Sequence, residues 1–179
     1  MSEELELELT YLLKYIPNGL HLSEHKEVLD IYIPKSSPHP KLRIRKSGDK
    51  LMITKKEPTD GKDSSVQLEH TIPLTKEEFA VLSKLQGKRV RKERYLYNYN
   101  GMIAEIDMFQ DRLEGLVLVD FEFKNMDQKA VFKIPDFCLA DVTHEKFAAG
   151  GMLCGKSYSE IEGNLLKYGY KKLDFNRTK

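Results

Sequence analysis

The chain has 179 residues and a mass of 20.8 kDa, a size that predicts one domain with a sizeable core and excludes a large multidomain machine. Charged residues make up 32% of it, yet 29 Lys and Arg against 28 Asp and Glu leave a net charge of +1, which excludes a broad basic surface for nucleic acid or for an acidic membrane. Apolar residues at 40% and aromatic residues at 9% suffice for a core, so a folded chain is expected despite a mean hydropathy of -0.51.

The N-terminus, MSEELELELT, is acidic where a secretory signal is basic and then apolar. No apolar run approaches the roughly 18 residues of a membrane span, so a cytoplasmic protein is expected. Leu5, Leu7, Leu9 and Tyr11 alternate with Glu4, Glu6, Glu8 and Thr10, which predicts a strand with one apolar and one polar face. Period-two segments follow at 27–33, 42–46, 51–56, 66–72, 90–99, 102–109 and 116–123. Gly48-Asp49 and Asn100-Gly101 sit between such runs as two-residue hairpin signals, so the connections read as antiparallel.

One helix is predicted over 76–85, capped by Thr75 with Glu78 reaching back, its buried stripe formed by Phe79, Leu82 and Leu85. After Phe123 short helices are expected at 127–132 and 143–149. A second capping box of Ser157 and Glu160 precedes Ile161, Leu165 and Leu166. Residues 35–40 and 57–65 read as polar loops, and no repeat or long linker divides the chain. The expectation is a single domain over 1–179, with strands over about 3–124 and a helical segment over about 127–172 outside the sheet. Cys138 and Cys154 match neither a disulfide framework nor a zinc site and are expected to be reduced, structural thiols.

Sorting side chains by strand face gives the neutral composition a pattern. Glu6 and Glu8, Glu105 and Asp107, and Asp120 and Glu122 form three acidic pairs, each backed by an apolar face. Arg43 and Arg45, and Lys92 and Arg94, form basic pairs, while Lys56 shares its face with Thr54. A half-buried sheet with a solvated polar face explains any one pair. The conjunction of all of them in one small chain favours a shared site. Like charges two residues apart repel, and a sheet curled into a closed barrel relieves this by turning acidic and basic strands toward one another. The fold class is then α+β, mainly antiparallel β, an eight-stranded closed barrel with helices covering its apolar outer face. Such an interior suits a polyanion held with Mg²⁺ or Mn²⁺, since hard cations take carboxylate oxygens and Arg and Lys take phosphate. No Gly-rich phosphate loop is present.

These segments resemble the CYTH domain, or triphosphate tunnel metalloenzyme, family over nearly the whole chain. ELELTYL resembles its opening ExExK strand; LRIRKSGDKLMITKKEP resembles its paired arginines and the strand ending in lysine before proline; KERY resembles its KxR strand, AEIDMF its ExDxF and LVLVDFEF its late acidic pair. The resemblance implies that Glu6, Glu8, Asp107, Asp120 and Glu122, with Glu105 and Glu69, hold metal, and that Arg43, Arg45, Lys56, Lys92 and Arg94 bind phosphates. Glu6, Glu8, Arg45 and Lys56 are the expected catalytic residues. Lys156 is a candidate for a further tunnel base. Asp141 and Thr143 resemble the segment after the barrel, with Thr143 expected to cap a helix. Two departures stand out: Thr10 replaces the family lysine, and Asp120 replaces a glutamate. The implied function is metal-dependent hydrolysis of inorganic, thiamine or nucleoside triphosphate. The alternatives are a CYTH-type adenylate cyclase and a non-catalytic triphosphate- or polyphosphate-binding module. The expected partner is a small triphosphate, with no nucleic acid or membrane, and the protein is expected as a monomer or homodimer.

Overall fold

A computed structural model describes residues 2–59 and 63–174. Each predicted period-two segment becomes a strand: β1 (Ser2–Leu13), β2 (Glu24–Ile33), β3 (Leu42–Ser47), β4 (Lys50–Pro58), β5 (Val66–Pro73), β6 (Lys88–Tyr99), β7 (Met102–Phe109) and β8 (Val117–Phe123). They pair antiparallel in the order β5-β4-β3-β2-β6-β7-β8-β1, and β1 also pairs with β5, closing an eight-stranded barrel. Both hairpin signals are realised. Asn100 and Gly101 take φ of 52° and 84°, the left-handed pair that such a turn needs, and Gly48 takes 56°.

A ninth strand, β9 (Cys138–Asp141), was not apparent from the sequence. The long β1 gives one edge to β5 only over residues 2–7, and β9 pairs with the remaining edge through Tyr11 and Asp141 and through Leu12 and Ala140. Backbone groups that would otherwise be left bare are thereby bonded.

The alternation sorts two environments. Outward-facing Leu7, Tyr11, Ala104, Ile106, Val119 and Phe121 form an apolar cluster with Ile16, Leu20 and Phe137 from the segments laid over them. Inward-facing positions are charged along most of the barrel but apolar in the last layer, where Leu12, Tyr32, Val90, Phe109 and Leu118 meet Leu153, Ile161 and Leu165. The C-terminal segment lies outside the strands as expected, and its place is specific. With α3 (Gly150–Leu153) and α4 (Tyr158–Leu166) it plugs one end of the barrel, because the inner face there is apolar.

Tyr170 fastens the plug: its hydroxyl donates to the Gly115 carbonyl and accepts from the Val117 amide, both at 2.8 Å. The second capping box forms, with Ser157 N donating to Glu160 at 2.8 Å. Leu166, placed with that box's apolar residues, is 64% exposed.

Two helix expectations also change. The helix α1 (Lys76–Leu82) has its Thr75–Glu78 capping box, but it stops before Leu85 and buries none of its residues. It touches the barrel mainly at β4, so Phe79, Leu82 and Leu85 form no buried stripe. The helix α2 (Met126–Ala130) forms near its expected place, whereas 143–149 contains only a single 3₁₀ turn, Lys146–Ala148. Cys154 is buried and Cys138 half-buried, both as free thiols. Burial pushes them up to about 11 and about 12, the unreactive range. Among the described residues no helix is long and apolar enough to cross a membrane.

Candidate active site

Inward alternation on seven strands brings the predicted site residues together inside the barrel. Apart from Glu105 and Lys156, all of them line one cavity of about 550 Å³. One wall is basic, with Arg43 and Arg45 from β3, Lys56 from β4, and Lys92 and Arg94 from β6. The other is acidic, with Glu6 and Glu8 from β1, Asp107 from β7, and Asp120 and Glu122 from β8. Glu105 sits directly across from Asp120 in the sheet and is bonded by Arg94.

Register determines which charges meet. Arg94 lies opposite Asp107 and grips it through Nε and Nη2, each at 2.7 Å, with Lys92 bonding the same carboxylate. Lys56 lies opposite Glu69 and sits among Glu6, Glu69 at 3.5 Å and Glu8 at 3.9 Å. Like charges also face each other: Glu8 opposes Glu122, and Glu105 opposes Asp120. Such pairs are unfavourable unless a cation or a proton intervenes.

Protons settle accordingly. Burial pushes Glu6 up to about 7 even with Lys56 beside it, while Glu69 goes down because Lys56, the Thr71 hydroxyl and Arg43 outweigh its burial. Burial, then Glu8 and Asp107, push Asp120 up to about 8. Burial would raise Asp107 too, but Arg94 and Lys92 hold it at about 2. Burial, then Glu105 and Glu8, raise Glu122. The free tunnel thus stores protons on acids whose charged form is disfavoured by burial and by neighbouring carboxylates, where a cation would be favourable.

A hard divalent cation fits this donor set by its chemistry, since Glu8, Asp120 and Glu122 offer only oxygen and their charge lacks a full basic partner. Among the described residues no three acidic, His or Cys side chains converge as a ready-made metal cage. Glu69 and Asp107, expected as metal ligands, instead turn their oxygens to cations and hydroxyls. Glu69 accepts from Arg43 at 3.4 Å and from Thr71 at 2.7 Å.

Several corrections concern single residues. Lys156 lies away from the cavity lining, exposed just before α4, and pairs with Glu160 of that helix at 3.4 Å. Thr143 caps no helix: its hydroxyl accepts from the Thr10 amide at 3.0 Å and donates to Asp141 at 2.6 Å. Thr10, at the family's lysine position, donates its hydroxyl to Asp120 Oδ1 at 2.7 Å. Asp30 and Tyr32 escaped the sequence reading. Asp30, 2% exposed, takes Arg45 at 2.6 and 2.7 Å, and Arg43 donates to the Tyr32 hydroxyl at 3.2 Å. Their signal was present, since Val28, Asp30 and Tyr32 alternate with Leu29, Ile31 and Ile33.

The family profile for the CYTH domain matches residues 4–136, the barrel and the segment that follows it. The chain belongs to the CYTH domain family. It is 29% identical over 143 residues to an inorganic triphosphatase of Nitrosomonas europaea, a match covering 79% of this chain and 91% of the relative. An inorganic triphosphatase of Acetivibrio thermocellus is 36% identical over 103 residues, covering 57% of this chain and 64% of the relative. The solved structure of the inorganic triphosphatase NE1496 superposes with a TM-score of 0.61 at 25% identity, covering 84% of this chain and 95% of the other. A Bacillus halodurans protein described as a candidate adenylate cyclase shares the fold, with a TM-score of 0.55 at 15% identity over 97% of this chain and 95% of its own. CYTH triphosphatases are generally metal-dependent.

Proposed function

We propose that this CYTH protein is a metal-dependent triphosphatase acting on inorganic triphosphate within its barrel. The observation that carries the reading is the opposition of five cations to a carboxylate wall inside one cavity of the barrel. The relatives named inorganic triphosphatase support the substrate. Arg43 and Arg45 present planar forks suited to phosphate oxygens, and Lys56 and Lys92 act as point charges. Asp30 and Tyr32 hold the two β3 arginines in place from behind, so the forks are set before substrate arrives.

Mg²⁺ or Mn²⁺ would be held by Glu8, Asp120 and Glu122, with Glu6 and Glu105 at the flanks. When bound, such an ion supplies charge neutralisation on phosphate oxygens and activation of water. The basic wall stabilises the charge that builds up as the terminal phosphoryl group moves to water, and Glu6 is poised to accept the water's proton. Positioning and electrostatics supply most of the rate.

Phosphate release from tripolyphosphate with and without Mg²⁺ or Mn²⁺ tests the reading. Activity is expected only with metal, and Glu8→Gln should lower kcat about 100-fold or more. Tight tripolyphosphate binding without product at any metal concentration would leave a binding module. Cyclic AMP with pyrophosphate from ATP and Mn²⁺ would make the protein a cyclase.

A further inference from the structure

Each cation of the inner wall has an acidic partner, but the lysines at the two ends of the cavity make no ion pair or hydrogen bond among the described residues. Lys26 and Lys50 stand at the end bearing the β3–β4 hairpin, and Lys41 and Lys146 at the end beside the plug. At the end beside the plug, two separate segments converge on one side chain, His39. His39 is exposed on one side, and partial burial, then Lys41 and Lys146, hold its imidazole below the ordinary histidine range, so the neutral ring keeps one N–H to donate. The acids nearby are engaged elsewhere. Glu57, which senses Lys41, is paired with Lys55 at 3.0 Å, and Glu145 is bonded by Tyr168.

The convergence is built into the backbone. A Cβ on Gly151 would lie 2.3 Å from the Pro40 carbonyl and 2.9 Å from the His39 ring, so glycine there lets α3 seat directly on this loop. The segment carrying Lys146 leads into that contact. Lys41 is two residues before Arg43, about 7 Å along an extended chain, which makes the cluster continuous with the basic wall.

We infer that His39, Lys41 and Lys146 form a further subsite for the outer phosphate of the substrate, selecting inorganic triphosphate over triphosphates esterified at one end. The inference rests on the triphosphatase reading. Inorganic triphosphate has a terminal phosphate at each end, each carrying between one and two negative charges at neutral pH, since a phosphate monoester has a second pKa of about 6. An ester removes one of those charges and puts an organic group in its place. Two ammonium groups and a neutral imidazole donor reward the free terminal phosphate and gain little from a ribose or a thiamine.

The test compares kcat/KM for tripolyphosphate and for ATP in the wild type and in Lys41→Met/Lys146→Met, with tripolyphosphate binding measured by calorimetry. Both lysines are exposed, so folding should be unaffected. The double variant should lose about 20-fold on tripolyphosphate, as expected from two charge-assisted contacts. ATP turnover should change by less than about threefold, and Lys41→Arg/Lys146→Arg should restore most of the preference. Equal losses on both substrates, no loss on either, or a wild type that prefers ATP would overturn the subsite. A wild type that cleaves neither compound with metal would overturn the triphosphatase reading itself.

Discussion

Asp30 receives two hydrogen bonds from Arg45 while almost wholly buried, and Arg43 lies 4.0 Å away. Burial alone would raise its pKa, but Arg45, Arg43 and Lys92 hold it well below the usual carboxylate range. Asp30→Ala leaves two arginines facing one another without the acid between them, so chemical unfolding in urea should show a loss of about 3 kcal/mol at pH 7. Because the folded pKa lies below the unfolded one, this contribution is present above pH 4 and is lost only as the pH falls through the folded value. The deficit should therefore persist to pH 4 and shrink in stronger acid. At this scale the sequence was partly legible. It marked Thr10 as a departure but not that its hydroxyl binds Asp120, since that contact joins positions 110 residues apart.

Strands were legible as elements because a half-buried strand must repeat every two residues. Short helices were not, because a turn or two of helix has no room for periodicity and is set by what it packs on. The α1 capping box formed as expected, yet the helix buries nothing, since a cap fixes where a helix starts and not what covers it. The plug depends on a contact of the same long-range kind. Tyr170→Phe should leave the Gly115 carbonyl and the Val117 amide without their buried partner, costing about 1 to 3 kcal/mol. Thermal unfolding should show this as a lower Tm, and the plug segment should exchange amide hydrogens faster while the barrel strands change little.

Seen across the whole molecule, the inner wall of the barrel, apart from the charged residues at the ends of the cavity, sets eight acids, the seven predicted from sequence and Asp30, against five cations. Glu6 and Asp120 relieve the excess by holding protons to about 7 and about 8, above the 4.5 and 3.8 of free side chains. The folded, metal-free protein then binds more protons than the unfolded chain, so its stability should be highest below about pH 4 to 5 from these two groups and decline as the pH rises through 7 to 8. Metal bound at the proposed site would compete with those protons. Denaturation midpoints should thus fall between pH 5 and 8 without metal, and Mg²⁺ or Mn²⁺ should raise them more at pH 8 than at pH 5. A metal-induced shift that is the same at both pH values would contradict the assignment of these carboxylates.

What the sequence determined by itself was the sorting of charge to one strand face, because alternation is local and each side chain's face follows from its position in the strand. The order of the strand motifs then identified the family and, through it, the closed barrel. Only the tertiary structure decided which acids neutralise which bases, that Asp30 and Tyr32 support the arginines, and that the C-terminal segment plugs the barrel. Each of these depends on register across the barrel and on packing between distant segments, where the partner of a residue is set by closure of the sheet and not by its neighbours in the chain.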